Sequence, residues 1–515
     1  MTALLLTLVF LIPLSLLLFI GILPQKAMNT SGLIKLSKFS SLLSILISIP
    51  ATIWVFNNEM VESGFIGMYE LGFSLRFDTL STLMFSMVSI IAFVVLRFSY
   101  NYLDGDTNQN SFIRILSATI VFVQLLILSG NLLLSFIVWV ATSLTLHKLL
   151  IFYPHRRKAQ IAAKKKFLVA RLGDITLLGA IALLYTEFNS GNLEIIFNQV
   201  REFSIDQSSF NLESAAVLLV ITAGLKSAQF PFHGWLLDVM EAPTPVSALL
   251  HAGLLNAGPF LMIRFAYVLE GVSIAPIVLF AMGAITALYG ALVCTTQPTI
   301  KNALAYSSVA HMGFTLMLCG LGVYAASLLH LIAHSFYKAH SFLSSGSVIE
   351  KVRTKHATNF KRKGNVALMT AGVLVAVVLF IAIAYLFGIN LNTEFQLLII
   401  GGIILLGIIR LTVNAIDSFN YKITLLRIMA ATVVVLVSFF ALEEGIRHIV
   451  GVQIPEISEL GNTLTYLSLS MFVLFFLTVM AQLVLREPKQ SSLYQNWGIH
   501  LRNGLYVNVV IDRYI

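Results

Sequence analysis

The chain has 515 residues, 58% hydrophobic and 11% charged, with a mean hydropathy of +0.88; soluble domains carry about 25% charged residues, so a soluble fold is excluded. Two cysteines, Cys294 and Cys319, lie inside apolar runs, which leaves neither a disulfide framework nor a cysteine-rich metal site. A net charge of +9 in so apolar a chain speaks first of topology, so the bilayer and not nucleic acid is the expected surrounding.

Runs of roughly 18–25 apolar residues, long enough to cross about 30 Å of hydrocarbon, recur from end to end. The first, near 3–23, lacks the basic stretch of a signal peptide and reads as a retained helix. Further spans are expected near 33–56, 79–97, 113–129, 131–152, 167–186, 212–232, 246–269, 272–294, 302–324, 325–349, 366–388, 394–412, 424–442 and 463–485. The fold class expected is an all-α polytopic membrane protein of about 15 transmembrane helices; the alternating ten-residue segments of a barrel are not seen.

Charge alternates with the count. Odd-numbered connections carry Lys26, Lys35, Lys38, Arg97, Arg114, the run from Lys148 to Arg171, Lys301, Lys351 to Lys363, Lys422 and Arg427. Even-numbered ones collect Glu59, Glu62, Glu70, Asp78, Glu187, Glu194, Glu202, Asp206, Glu443, Glu444, Glu456 and Glu459. The positive-inside rule then places the N-terminus outside and the tail after Arg486 in the cytoplasm. The runs His155-Arg-Arg-Lys and Lys164-Lys-Lys read either as orientation signals or as a docking patch for acidic partners or lipid headgroups.

An ionisable group inside the membrane costs about 2.5–3.5 kcal/mol even on lenient scales and marks a candidate site. In Ala223-Gly-Leu-Lys226-Ser-Ala-Gln-Phe-Pro231-Phe-His233-Gly-Trp-Leu-Leu-Asp238-Val-Met-Glu241-Ala-Pro243-Thr-Pro245, three prolines forbid a continuous helix, and a break at membrane depth points to a transport site. Lys226 stands just before the break and His251 beyond it. In the eleventh span, His330, His334 and Lys338 recur at i, i+4, i+8, a stripe about 12 Å long that can pass protons. Two histidines at that spacing can also share a zinc ion, but no third ligand lies in the motif and Lys338 opposes a cation, so no metal is expected in this chain. Isolated groups complete the set: Arg171 with Asp174, which reads equally as a site or as an end-of-helix ion pair, then Lys301, His311 and His147.

These residues carry a resemblance. Lys226-Ser-Ala-Gln-Phe-Pro, Pro243-Thr-Pro-Val-Ser-Ala-Leu-Leu-His251, Lys301-Asn-Ala-Leu-Ala-Tyr-Ser-Ser-Val-Ala-His-Met-Gly, the His330/His334/Lys338 helix, Phe77-Asp78-Thr-Leu-Ser and Arg171-Leu-Gly-Asp174 resemble the antiporter-like subunits of respiratory complex I, chain 5, and of Mrp-type antiporters, clearly over 70–350. The resemblance implies two inverted five-helix repeats with broken helices. It divides the chain into N-terminal helices (1–112), a first repeat (113–269), a second repeat (270–423), C-terminal helices (424–485) and a cytoplasmic tail (486–515). It also implies a polar axis on which Lys226, His251, His330, His334 and Lys338 are proton-path residues, with Asp174, Arg171, Lys301, His311, Asp78 and Glu241 in support.

The chain departs from that family at Trp139-Val140, where a glutamate is usual, and in the twelfth span, which has neither an ionisable residue nor a proline. The sequence stops after the fifteenth span, before the family's lateral helix. In these features, and in the ending Asn503-Gly-Leu-Tyr-Val-Asn-Val-Val-Ile-Asp-Arg-Tyr, it is similar to the DabB family, membrane subunits of inorganic-carbon accumulation complexes. That likeness implies a bacterial inner-membrane protein that couples a proton or sodium gradient to CO2 hydration by a large DabA-like zinc protein on the cytoplasmic side, the zinc being the partner's. Membership of a complex I, Mrp or hydrogenase assembly, or a non-conducting scaffold, are the rival expectations. Tyr494, Trp497, Tyr506 and Tyr514 in the tail suit an interface; a disordered end is the competing reading, opposed by Leu505, Val507, Val509, Val510 and Ile511.

Overall fold

Lipid offers no hydrogen-bond partner, so each apolar run must satisfy its N–H and C=O groups internally and become a helix. The computed structural model describes residues 2–24, 28–58, 60–202, 209–347, 366–390, 394–416, 421–484 and 492–513. Each expected span overlaps at least one helix, though not always along its whole length. In order these are α1 (Thr2–Ile22), α2 (Thr30–Asn57), α3 (Thr79–Tyr102), α4 (Gln109–Leu128), α5 (Leu132–Leu150), α6 (Arg157–Phe188), the extramembrane α7 (Leu193–Glu202) and α8 (Phe210–Lys226). The chain continues through α9 (Gly234–Asp238), α10 (Thr244–Leu249), α11 (Ala257–Arg264), α12 (Ala266–Glu270), α13 (Ile274–Cys294), α14 (Ile300–Gly320) and α15 (Tyr324–Leu343). After them come α16 (Val366–Leu386), α17 (Phe395–Ile416), α18 (Tyr421–Val450) and α19 (Asn462–Val484), then α20 (Ser492–Arg502) and α21 (Val507–Ile511) in the tail. Among the described residues, 11 helices are by themselves long and apolar enough to cross a membrane.

Three local features differ from the expected spans. Helix α6 begins at Arg157, ten residues early, because the Ala- and Lys-rich stretch 157–166 favours helix and buries Ala159, Ala162, Ala163 and Lys166 on one face. The span expected to 232 stops at Lys226, and residues 227–233 are non-helical. The next span is interrupted by a π-helical turn, Leu250–Leu254, between α10 and α11, and that turn carries His251. Helix α16, by contrast, runs unbroken from Val366 to Leu386.

The ends of the helices are separately tied. On the side of the even-numbered connections, β1 (Val61–Glu62) pairs with β4 (Arg76–Phe77), and β2 (Ile66–Met68) with β3 (Leu71–Phe73), both antiparallel. There Asp78 caps α3 by accepting from the Ser81 N–H (2.7 Å) and meets Arg76 (2.6 Å) and Arg264 (2.5 Å), while Arg76 reaches Glu194 (2.7 Å). On the opposite side the tail folds back: Lys165 joins Asp238 (2.7 Å) to Asp512 (2.8 Å), and the Tyr289 hydroxyl donates to the Gly504 carbonyl (2.8 Å). Gly504 has φ +59°, and a Cβ there would stand 2.7 Å from the Tyr306 hydroxyl, so only glycine fits. The described tail is therefore helical and packed on α13 and α14. The Tyr494 side chain and Tyr514 lie outside the described residues.

Candidate functional site

The break after α8 leaves Lys226 at a helix C-terminus, where unsatisfied carbonyls favour a cation. Its Nζ is buried 4.2 Å above the Trp139 ring and has no hydrogen-bond partner among the described residues. Asp174 and Arg171 act on it electrostatically and pair with each other on α6 at 2.6 Å, and its own charge is felt by Lys166. The pair is an i, i+3 ion pair, but because α6 begins at Arg157 it lies in mid-helix and not at a helix end. Val140 cannot titrate, and Asp174 is the acid nearest to Lys226 in effect.

About two turns before Asp174 on α6, Lys166 is 4% exposed and donates to the Ser143 carbonyl (2.7 Å) and hydroxyl (2.8 Å). Sequence reasoning missed it by reading Lys164-Lys-Lys as a single surface run. The signal was available: position 166 continues the buried stripe Ala159, Ala162, Ala163, Val169, Gly173, Asp174 and Leu177, and a charge on such a stripe is a candidate by the same cost argument as Lys226.

The second cluster is built on α14 and α15. His330 and His334 meet through His311 of α14: His311 Nδ1 is 3.1 Å from His330 Nε2, and the His311 ring lies 5.2 Å from that of His334. Both ring nitrogens of His334 are buried without partners among the described residues. Fully buried Lys338 donates to the Leu304 carbonyl (2.9 Å) and the Ser307 hydroxyl (2.6 Å). His251 faces Ser308 (2.9 Å) and stacks on Phe342 (4.3 Å). His334 lies within electrostatic reach of His311, Lys338, His330 and His251, so five ionisable groups from three elements form one array. Asn256, which the sequence reading also passed over, donates to Ser335 (2.7 Å) inside it. Leu250 and Leu254, flanking His251, line the cavity beside Lys226 and stand between the clusters.

The remaining candidates sit apart. Asp78 belongs to the buried ion cluster described above: burial pushes its carboxyl up, but Arg264 and Arg76 together pull it well below the usual carboxylate range. Glu241 is at the surface, 3.8 Å from Lys158. Lys301 is in the first turn of α14, with no hydrogen bond or ion pair among the described residues. Among those residues no group of three or more His, Cys, Asp or Glu is placed to hold a metal.

A polytopic helical chain with broken helices and lysines and histidines enclosed among them is an antiporter-like membrane subunit in architecture. The family model described as NADH:quinone oxidoreductase/Mrp antiporter, transmembrane, matches residues 129–413, and that of the complex I chain 5 N-terminus matches 65–113. A probable inorganic carbon transporter subunit DabB2 of Halothiobacillus neapolitanus is 35% identical over 465 residues, 88% of this chain and 83% of that protein. A probable inorganic carbon transporter subunit DabB of Hydrogenovibrio crunogenus is 43% identical over 273 residues, 53% of this chain and 52% of that protein. In fold, the chain resembles a chain of the Mrp complex from Dietzia sp. (TM-score 0.63, 21% identity), covering 98% of this chain and 60% of that one. The chain belongs to the complex I/Mrp family of antiporter-like membrane subunits.

Proposed function

We propose that the chain conducts protons, with sodium as the alternative ion, and so energises inorganic-carbon accumulation by a partner protein. The observation that carries this reading is the array His330, His311, His334, Lys338 and His251: titratable side chains enclosed at the depth of the spans, the three histidines ring to ring and Lys338 and His251 within electrostatic reach of His334. Nothing in packing requires five such groups where aliphatic residues would fill the space at lower cost. The likeness to the two inorganic carbon transporter subunits supplies the coupled process.

By the positive-inside rule the face bearing the tail is cytoplasmic. Protons enter from the even-connection side of a bacterial inner membrane, pass the histidine array and Lys338, and reach His251 and Lys226. The partner is a large DabA-like zinc protein, docked where the tail exposes Trp497, Val509 and Val510; the zinc is its own.

In proteoliposomes with an imposed pH gradient, Lys338→Ala is expected to abolish dye-reported proton flux, and Lys226→Ala to abolish CO2-dependent growth rescue in a host lacking carbonic anhydrase. Normal flux and rescue in both variants would refute the reading. Co-purification with redox subunits in place of a zinc protein would assign the chain to a respiratory assembly.

A further inference from the structure

We propose that Lys166 and His147 carry protons from Lys226 to the face that bears the turn between α5 and α6, so that the exit runs between these two helices. The proposal rests on the reading of the chain as a proton conductor and names the residues of its exit.

Helix α5 presents Trp139, Ser143 and His147 at i, i+4, i+8 toward α6, each about 6 Å further along the axis. Each holds a different rung. The Trp139 ring carries Lys226 Nζ at 4.2 Å, and Ser143 accepts twice from Lys166 Nζ, at 2.7 and 2.8 Å. The His147 ring packs 5.2 Å from Phe167, with Nδ1 buried and unpartnered among the described residues. His147 is three residues from the end of α5 at Leu150, hence within a turn of the surface.

An ammonium has three N–H donors; Ser143 takes two from Lys166 and leaves one. Lys166 and Lys226 both line a cavity of 20 Å³, and a single water needs about 10–15 Å³. The cavity, lined mostly by apolar side chains, has room for one water, for which the exit proposed here supplies two polar partners: the spare N–H of Lys166 and the unpartnered Nζ of Lys226. Through that water the transfer balances: an N–H bond of the Lys226 ammonium breaks, the water accepts this proton and releases another to the neutral Lys166 amine. Lys226 is left as amine and Lys166 as ammonium. Lys166 then yields its proton to His147, and the imidazolium releases it to solvent. Arg171 and Asp174 are the other charges acting on Lys166, and their mutual ion pair leaves the two amines to repel one another. Repulsion across one water keeps a single proton in the pair, so the arrival of the next proton on Lys226 drives the first off Lys166 and outward.

The test uses the full chain in proteoliposomes with a pH-sensitive dye, each variant checked for helicity and monodispersity. Lys166→Arg keeps volume, charge and both hydrogen bonds but does not release a proton, whereas Lys166→His keeps a group that titrates. The expected result is a loss of at least about tenfold in flux for Lys166→Arg, retained flux for Lys166→His, and a severalfold loss for His147→Phe. Wild-type flux in Lys166→Arg overturns the exit while the conduction reading stands. Equal loss in the Arg and His variants makes Lys166 structural and overturns it too. If neither Lys166 variant folds, His147→Phe decides, unchanged flux counting against the proposal. A wild-type chain without flux removes the conduction reading and the exit together.

Discussion

The helices up to Leu343 and those from Val366 onward are equally apolar but differ in what they enclose. In the first region, the segment Thr244–Arg264 is 100% buried across its apolar window, and it sits among the lysines and histidines of both clusters; in the second, the window of the helix Asn462–Ala481 is 11% buried. The only charged side chain that the second region buries among the described residues is Glu443, held beside Arg447, which also meets Glu394 (2.9 Å) near the even-connection end. Ionisable groups persist at membrane depth only where other helices shield them from lipid, so enclosure and chemistry fall in the same half.

The largest expected break in that contrast is Arg264→Leu. It leaves Asp78 buried without one of its two cations, a loss of about 3–5 kcal/mol, read as a fall in detergent-solubilised, monodisperse protein; Arg447→Gln in the second region should lower stability less and leave proton flux unchanged. Next is Gly283→Val in α13. A Cβ at 283 would lie 2.4 Å from the Met317 backbone nitrogen on α14, so over-packing should cost about 1–3 kcal/mol, seen as a lower unfolding temperature.

A smaller effect distinguishes two acids at one end of the bundle. Burial raises the Glu270 carboxyl, with a lesser opposing hydrogen bond from Ser458. Its folded pKa lies above the unfolded value of about 4.3, so its favourable contribution is present below that pH and is lost as pH rises through the folded pKa. Glu270→Gln should match wild type near pH 4 and exceed it in unfolding temperature at neutral pH. Asp78 has the opposite sign: its contribution is complete above about pH 3.9 and falls away only in stronger acid, so it adds no slope between pH 5 and 8. The smallest effect is Lys158→Ala, which removes an exposed 3.8 Å pair with Glu241 and should change stability by less than about 1 kcal/mol.

Much of the site was legible in the chain. The prolines at 231, 243 and 245 marked the break because they cannot supply an N–H, and the 3.6-residue period placed His330, His334 and Lys338 on one face. What that period could not reveal is that His330 and His334 meet through a third histidine on the neighbouring helix. Lys166 was obscured because a run of three lysines has no internal sign of which one turns inward; the sign lies in the alanine stripe before it and the glycine after it. Asp78 drew notice through its motif, but its two arginine partners lie at positions 76 and 264, and only one of them is near in sequence.

Local physics alone determined which segments are helices, where one must snap and which side chains are too polar for oil without a reason, since each of these follows from composition within about twenty residues. Tertiary structure decided the partnerships: Asp174 beside Lys226 in place of a glutamate at 140, Ser143 under Lys166, and the tail seated on Tyr289 and Tyr306. Those contacts join residues from 23 to 215 positions apart, and an attraction of a few ångströms' range acts between such groups only once packing has brought the helices together.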